Sequence, residues 1–261
     1  MASAKVITFT GGLGAQLISA AAYFHCQRQG IPVLAHFGYF AQQARVARVG
    51  EAGTVSHWAW ALGDYGLEFA QFDQPAGAVD PAQVVFDGIE KLELGFAGLR
   101  DESIRARFPI DEASRDALRG IVSSGRWAAL HVRRGDYLNV VTYLIPDQAY
   151  FNAALAVRRL VDHIVVISDT EIGPGLTRLL QSLPTSDRVT VVTGGTARLA
   201  HDLMRLSDIL VASNSQLSYT AGALRAADQL TLFPSRHEGE AESDTNRWLR
   251  SLGEFQLPTR L

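Results

Sequence analysis

The segment from His131 to Asp136 carries the side chains of this chain best suited to bind an anion. His131, Arg133, Arg134 and Asp136 follow one another at the exit of a short apolar run. Charges at this density are costly to bury in a core, so they indicate a site rather than packing. Guanidinium groups recognise phosphate through paired N–H donors. The alternative is a surface ion pair of the two arginines with Asp136 or Asp169.

A glycine-rich turn at 11–16, sequence GGLGAQ, lies between a strand pattern and a helix pattern. Gly12 and Gly14 would let a ligand approach the backbone, and the following helix would offer its free N–H groups to an anion. Gln16 is the adjacent polar candidate for binding such a ligand. Leu17 stands where the dinucleotide fingerprint needs glycine, and the Gly-Lys-Ser/Thr of a P-loop is missing. A tight structural turn therefore remains an alternative.

Hydroxyl groups follow two further apolar runs. Ser168 and Asp169 close one of them, where they could bind a base or ribose, or simply cap the next helix. The second run ends in more hydroxyl and amide groups than one helix cap requires, which favours an anion site. These candidate anion-binding residues are Ser213, Asn214, Ser215 and Ser218.

The elements that position these residues alternate between strand and helix. Residues 5–37 read as one β-α-β unit, and short β-rich runs then recur with helical patterns between them. The predicted strands of this second part cover 127–132, 163–168, 188–193, 208–212 and 229–233. Such alternation predicts α/β architecture with doubly wound parallel sheets, in which ligands bind at the carboxyl ends of strands. A boundary near Ser123–Gly125 gives two lobes, 1–124 and 125–261.

Composition narrows the function classes. The chain has 261 residues, 47% of them hydrophobic and 20% charged, which is typical of a packed globular protein. A net charge of −3 argues against nucleic-acid binding. The sole cysteine, Cys26, cannot form an internal disulfide, and no Cys/His pattern has zinc-ligand spacing. Residues 6–24 are uncharged but are interrupted by glycine and threonine, so we expect neither a signal peptide nor a transmembrane segment.

Three motifs, in this order, resemble those of the bacterial α1,2-fucosyltransferases. They are G-G-L-G-x-Q, H-V-R-R-G-D-Y and D-L-M-x-x-S-D-x-x-V-x-S-N-S-x-x-S, and together they span 11–219. The resemblance implies a GT-B-like pair of Rossmann-type lobes, GDP-fucose as co-substrate, inversion at the sugar carbon and no metal. It implies that Arg133 and Arg134 meet the diphosphate, that Ser213–Ser218 line the phosphates, and that Ser168 and Asp169 lie near the nucleoside. Ala15 departs from the family, which usually has asparagine there.

The expected activity is therefore a metal-independent, inverting transfer of L-fucose to a glycan hydroxyl, with an α1,2 linkage. Asp136 and His131 are the candidates for the base that assists the attacking hydroxyl. The first lobe would face an oligosaccharide or lipid-linked acceptor and the second would bind the nucleotide sugar. We expect a cytoplasmic protein, with peripheral membrane association left open.

Other functions stay open from the sequence. The donor could be a different nucleotide-linked deoxysugar, or the protein could bind nucleotide or glycan without catalysis. An oxidoreductase is disfavoured by the failed dinucleotide fingerprint. The acceptor site has no motif. Aromatic residues in the weakly patterned stretch 38–101 could stack on sugar rings or belong to the core: Tyr39, Trp58, Trp60 and Tyr65.

Overall fold

The computed structural model describes residues 4–40, 60–72, 85–86, 88–139, 144–184, 186–226 and 228–233. The chain divides into two compact units, Met1–Pro109 and Ile110–Leu261. Residues 111–122 therefore belong to the second unit, although the sequence predicted that they belong to the first lobe, before a boundary near Ser123–Gly125. The start of this segment is bonded to a buried aspartate of that unit, since Asp202 accepts hydrogen bonds from Asp111 N at 3.0 Å and Ser114 Oγ at 3.1 Å.

The first unit is built on a three-stranded parallel sheet, in which β1 (Lys5–Thr8) lies between β2 (Val33–His36) and β3 (Val85–Phe86). Ile7 in the middle strand pairs with Ala35 on one side and Phe86 on the other. The predicted β-α-β unit over 5–37 is confirmed. The elements are β1 (Lys5–Thr8), α1 (Leu13–Arg28), β2 (Val33–His36), β3 (Val85–Phe86), α2 (Gly88–Arg100) and α3 (Glu102–Arg105).

Helices α1 and α2 pack backbone against backbone at two glycines of α2. A Cβ on Gly95 would lie 2.7 Å from the carbonyl oxygen of Ile18, and a Cβ on Gly98 would lie 2.9 Å from the carbonyl carbon of Ala21. Both separations are shorter than real Cβ contacts, so only glycine fits at these two positions. Helix α1 is buried along most of its length, which explains the uncharged run at 6–24.

The second unit holds a five-stranded sheet in which every neighbouring pair of strands is parallel. Its central strand is β4 (Trp127–Val132). On one side of it lie β5 (His163–Ser168) and then β6 (Val189–Thr193), and on the other lie β7 (Ile209–Val211) and then β8 (Leu230–Leu232). Every residue of β4 is buried between two layers of helices. The predicted strand-helix alternation is confirmed. The elements are α4 (Glu112–Ile121), β4 (Trp127–Val132), α5 (Asp147–Val157), β5 (His163–Ser168), α6 (Pro174–Gln181), β6 (Val189–Thr193), α7 (Ala197–Leu206), β7 (Ile209–Val211), α8 (Gln216–Ala223) and β8 (Leu230–Leu232).

The strand order of the second sheet locates its binding edge. Strands β5 and β6 lie on one side of β4, whereas β7 and β8 lie on the other. The chain therefore leaves β4 and β7 in opposite directions. In doubly wound sheets this is the topological switch point, where a crevice opens at the carboxyl ends of the strands.

No helix among the described residues is long and apolar enough to span a bilayer. Trp58, one of the aromatic residues considered for sugar stacking, lies outside the described residues. Tyr65 is buried against Phe108, with ring centroids 5.8 Å apart, so its ring belongs to the core.

Candidate functional site

Strand register brings three of the sequence motifs to one edge of the second sheet. Val132 pairs with Ser168, and Leu130 pairs with Val211, so β4, β5 and β7 end side by side. The segments beginning at Arg133, Asp169 and Ala212 therefore leave the sheet together. This is the geometry expected for residues that follow neighbouring parallel strands.

Arg133 forms ion pairs with two carboxylates at this edge. Its Nη1 donates to Asp169 Oδ2 at 2.6 Å, and its Nη2 contacts Asp136. The guanidinium carbon lies 5.1 Å from the ring centre of Tyr137, and 17% of the side chain is exposed. The ion pairs anticipated as an alternative are thus present. An incoming anion would reach this guanidinium by exchanging with a carboxylate.

Arg134 points away from the edge into the protein and is only 6% exposed. Its Nη1 donates to the carbonyl oxygen of Ile145 at 3.0 Å, and its Nη2 contacts Asp147 at the start of α5. The guanidinium lies 5.3 Å from the ring centre of Tyr150. Arg134 therefore anchors the loop after β4 to the following helix.

Asp169 is the centre of the bonding pattern at this edge. Besides Arg133, its carboxylate accepts the backbone N–H of Arg134 at 3.1 Å. Gly135 packs directly on this carboxylate, since a Cβ there would lie 3.1 Å from Asp169 Cγ, and its φ of +31° also favours glycine. The sequence singled out Asp169 as a nucleoside contact and as a possible ion-pair partner of the arginines, but it did not indicate the bond to the Arg134 backbone, and it missed Gly135.

His131 is buried beside two serines that follow β7. Its Nδ1 lies 3.0 Å from Ser213 Oγ and also contacts Ser218 Oγ, while Ser218 Oγ accepts the backbone N–H of Ser213 at 3.1 Å. Burial, together with the nearby charge of Arg133, lowers the pKa of His131 from 6.5 to about 3. The imidazole is therefore neutral near pH 7 and joins the end of β4 to α8.

Replacing His131 with glutamine is expected to make the free energy of unfolding depend less steeply on pH below about 6.5. The unfolded chain takes up a proton on this imidazole near pH 6.5, but the folded chain does so only near a pKa of about 3. Stability should therefore fall as the pH drops from about 6.5 toward 3, and part of this fall should disappear in His131→Gln. His201 keeps a contribution of the same sign, since burial lowers its pKa as well. Urea midpoints measured between pH 7 and pH 4 test this, and identical pH slopes for both proteins would contradict it.

The hydroxyl-rich turn after β7 serves partly as a helix cap. Ser215 Oγ accepts the backbone N–H of Leu217 at 3.1 Å, while Asn214 is half-buried. Ser213 and Ser218 are directed to His131, so their hydroxyls are engaged within the protein. The N-terminus of α8 nevertheless opens at the sheet edge, and its dipole favours negative charge there.

Ser168 differs from the other serines of the site. Its side chain is buried at the end of β5, and its Oγ has no hydrogen-bond partner within the part of the chain that the structure describes. A buried hydroxyl usually finds a partner, so Ser168 is an exception among the polar groups at this edge.

The glycine turn lies in the first unit, whereas the other predicted site residues lie in the second. Gly12 is the extended N-cap of α1, and Gly14 is buried in the first turn of that helix. Gln16 is fully buried: its Nε2 donates to the carbonyl oxygen of Gly11 at 2.9 Å, and its Oε1 accepts the backbone N–H of Ala61 at 2.8 Å. Its amide thus links the glycine turn to the backbone at Ala61.

No protein-family profile and no curated protein sequence matches the chain. Solved structures do match its fold. POFUT1 in complex with GDP-fucose has a TM-score of 0.52 at 9% identity, covering 90% of this chain and 98% of its own. An Escherichia coli ADP-heptose LPS heptosyltransferase II has a TM-score of 0.50 at 12% identity, covering 97% and 98%. The chain has a GT-B-like fold. The predicted class, α/β with parallel sheets, is thereby confirmed.

Proposed function

We propose that this protein is an inverting glycosyltransferase that moves L-fucose from GDP-fucose to a glycan hydroxyl, with an α1,2 linkage and no metal. The observation that carries the proposal is the partly exposed Arg133 guanidinium at the carboxyl edge of β4, the same edge at which α8 begins. The motif resemblance supports it, as does a fold shared with a protein that was solved with GDP-fucose.

Cleavage of a sugar from GDP builds negative charge on the departing diphosphate. Guanidinium groups and a helix N-terminus can stabilise that charge when they are fixed before the reaction. Arg133 is the direct contact in this proposal, because its fork is partly exposed and faces the edge. Arg134 has an indirect role in this proposal. Its guanidinium is bonded to Asp147 and to the carbonyl oxygen of Ile145, and it thereby fixes the loop that carries Arg133. We expect turnover to persist in EDTA.

The acceptor hydroxyl must lose a proton as it attacks the sugar from the face opposite the diphosphate. Asp136 is the base in this proposal, since its side chain is 40% exposed and is paired with Arg133. A diphosphate that bonds to the Arg133 guanidinium would replace the Asp136 carboxylate there. The released carboxylate would then accept the proton of the acceptor hydroxyl. His131 suits this role less well, because its pKa of about 3 makes it a weak base and its Nδ1 is engaged by serines.

Ser168 and Asp169 would contact the nucleoside side of the donor. Ser168 ends β5 beside Asp169, and the Asp169 carboxylate sets the position of Arg133. Ser213, Asn214, Ser215 and Ser218 would shape the phosphate end through the start of α8. An ADP-linked sugar is the second candidate donor, because the heptosyltransferase match is of similar quality.

Calorimetric titration with GDP, ADP, UDP, CMP and dTDP tests the donor. We expect GDP to bind at least about tenfold more tightly than the others, a difference of about 1.4 kcal/mol. Release of GDP from GDP-fucose then separates an enzyme from a non-catalytic binder, which would release none. Indifference to GDP, or turnover only with added manganese, would overturn the proposal.

Replacing Asp169 with asparagine is expected to weaken GDP binding several-fold and to lower kcat/KM further. The amide carries no charge to hold the Arg133 fork, and its NH₂ group cannot accept the bond that one carboxylate oxygen accepts now. Asp208→Asn is the matched control, because Asp208 accepts the backbone N–H of Trp127 at 2.8 Å at the opposite end of β4. Equal GDP affinity in the two variants would contradict the positioning role.

A further inference from the structure

The first unit has a cavity of about 720 Å³ at the carboxyl end of β2, in a region to which the sequence assigned no motif. Its volume lies within the range of small-molecule sites, about 300–1,000 Å³. Besides Leu67, four aromatic rings and two polar side chains line it. They are Phe37, Phe40, Trp60, Phe69, Glu68 and Gln71.

Trp60 is the centre of this aromatic pocket and packs against its three other rings. Its ring centroid lies 5.0 Å from that of Phe37, 5.5 Å from Phe40 and 6.2 Å from Phe69, each in an edge-to-face arrangement. The next residue is bonded to the buried amide of Gln16, which is itself bonded to the glycine turn. Trp60 nevertheless keeps 39% of its surface exposed. A large apolar side chain fixed from several sides yet open to solvent is a preorganised contact surface.

We propose that this aromatic pocket binds a pyranose ring of the acceptor. The C–H face of a pyranose is apolar and covers an aromatic side chain, while its hydroxyls need hydrogen-bond partners around the rim. Glu68 and Gln71 are exposed polar side chains at the pocket and can accept and donate such bonds. That the sugar is an acceptor rests on the proposed function, whereas sugar binding itself does not.

The charges and polarity of the pocket distinguish this occupant from others. Its lining, as far as the described residues show it, contains Glu68 and no lysine, arginine or histidine. The phosphates of a nucleoside diphosphate would therefore meet only negative charge there. An alkyl chain would strip water from Glu68 and Gln71 without replacing their hydrogen bonds, which is costly. A neutral sugar avoids both penalties.

Saturation-transfer NMR tests this directly, with methyl β-D-galactopyranoside, methyl β-D-glucopyranoside and 1-hexanol as probes. We expect transfer to the ring C–H protons of at least one glycoside, reduced at least fivefold in Trp60→Ala and clearly weakened in Glu68→Gln. Ile89→Ala is the control, because Ile89 is 46% exposed on α2 and does not line the pocket. Glu68 is exposed, so its variant tests the site even if Trp60→Ala is poorly folded.

Transfer to neither glycoside, transfer to hexanol alone, or equal transfer in wild type and Glu68→Gln would each overturn the pocket assignment. Titration with GDP separates this result from the donor proposal. Trp60→Ala and Glu68→Gln should bind GDP as the wild type does, and they should raise the KM for a glycan acceptor while leaving acceptor-free release of GDP from GDP-fucose unchanged. Failure of GDP to bind any of these proteins would remove the proposed function and leave the sugar site standing.

Discussion

Replacing Arg133 with alanine is expected to lower kcat/KM for GDP-fucose by about a hundredfold or more. The reason is the loss of one preorganised donor from the transition state, where the charge on the diphosphate is greatest. The effect should appear in kcat as well as in KM, because the interaction strengthens as the sugar bond breaks. Steady-state kinetics with purified, folded protein measure it.

Two further variants make this result specific. Arg133→Lys should remain impaired, because an ammonium group lacks the paired fork of a guanidinium. Arg119→Ala removes an exposed arginine of α4 that pairs with Glu112 and Asp116, and it should leave kinetics near wild type. Near-normal turnover in a folded Arg133→Ala protein would refute the role of Arg133 in diphosphate binding.

Replacing Gly98 with alanine is expected to lower the free energy of unfolding by about 1–3 kcal/mol, and the pair Gly95→Ala with Gly98→Ala by more. Each added methyl would press on the backbone of α1, at Ala21 in one case and Ile18 in the other. Backbone cannot move aside as the end of a flexible side chain can, so the two helices must separate. Urea denaturation followed by circular dichroism measures the change.

Gly120→Ala provides the matched control for this prediction. Gly120 lies in α4 with nothing within 4 Å of an added Cβ, so alanine there should stabilise the protein by about 0.5–1 kcal/mol. Similar unfolding midpoints for Gly98→Ala and Gly120→Ala would contradict the close helix crossing.

Several roles at the candidate site depend on contacts that are distant in the sequence. Arg133 and Arg134 are adjacent and identical in type, yet Arg133 meets Asp169 at the edge while Arg134 meets Asp147 inside. Local pattern does not separate them, because the direction of each side chain is set by carboxylates that other elements supply. The same holds for Gln16, whose polar side chain is predicted to face a ligand but lies fully buried against Ala61.

Over residues 5–37 and 125–233 the sequence by itself determined the order of strands and helices, since apolar runs of strand length alternate with helical patterns and parallel strands follow from that alternation. It also determined that His131–Asp136, Ser168–Asp169 and Ser213–Ser218 share one edge, because each directly follows a strand of the same sheet. It did not determine the elements of the weakly patterned stretch 38–101, where β3 and α2 lie. Tertiary structure alone decided which guanidinium is exposed, why His131 is neutral, and where the aromatic residues around Trp60 form a pocket. Exposure and pKa depend on which groups pack around a side chain in space, and that arrangement exists only once elements far apart in the chain have come together.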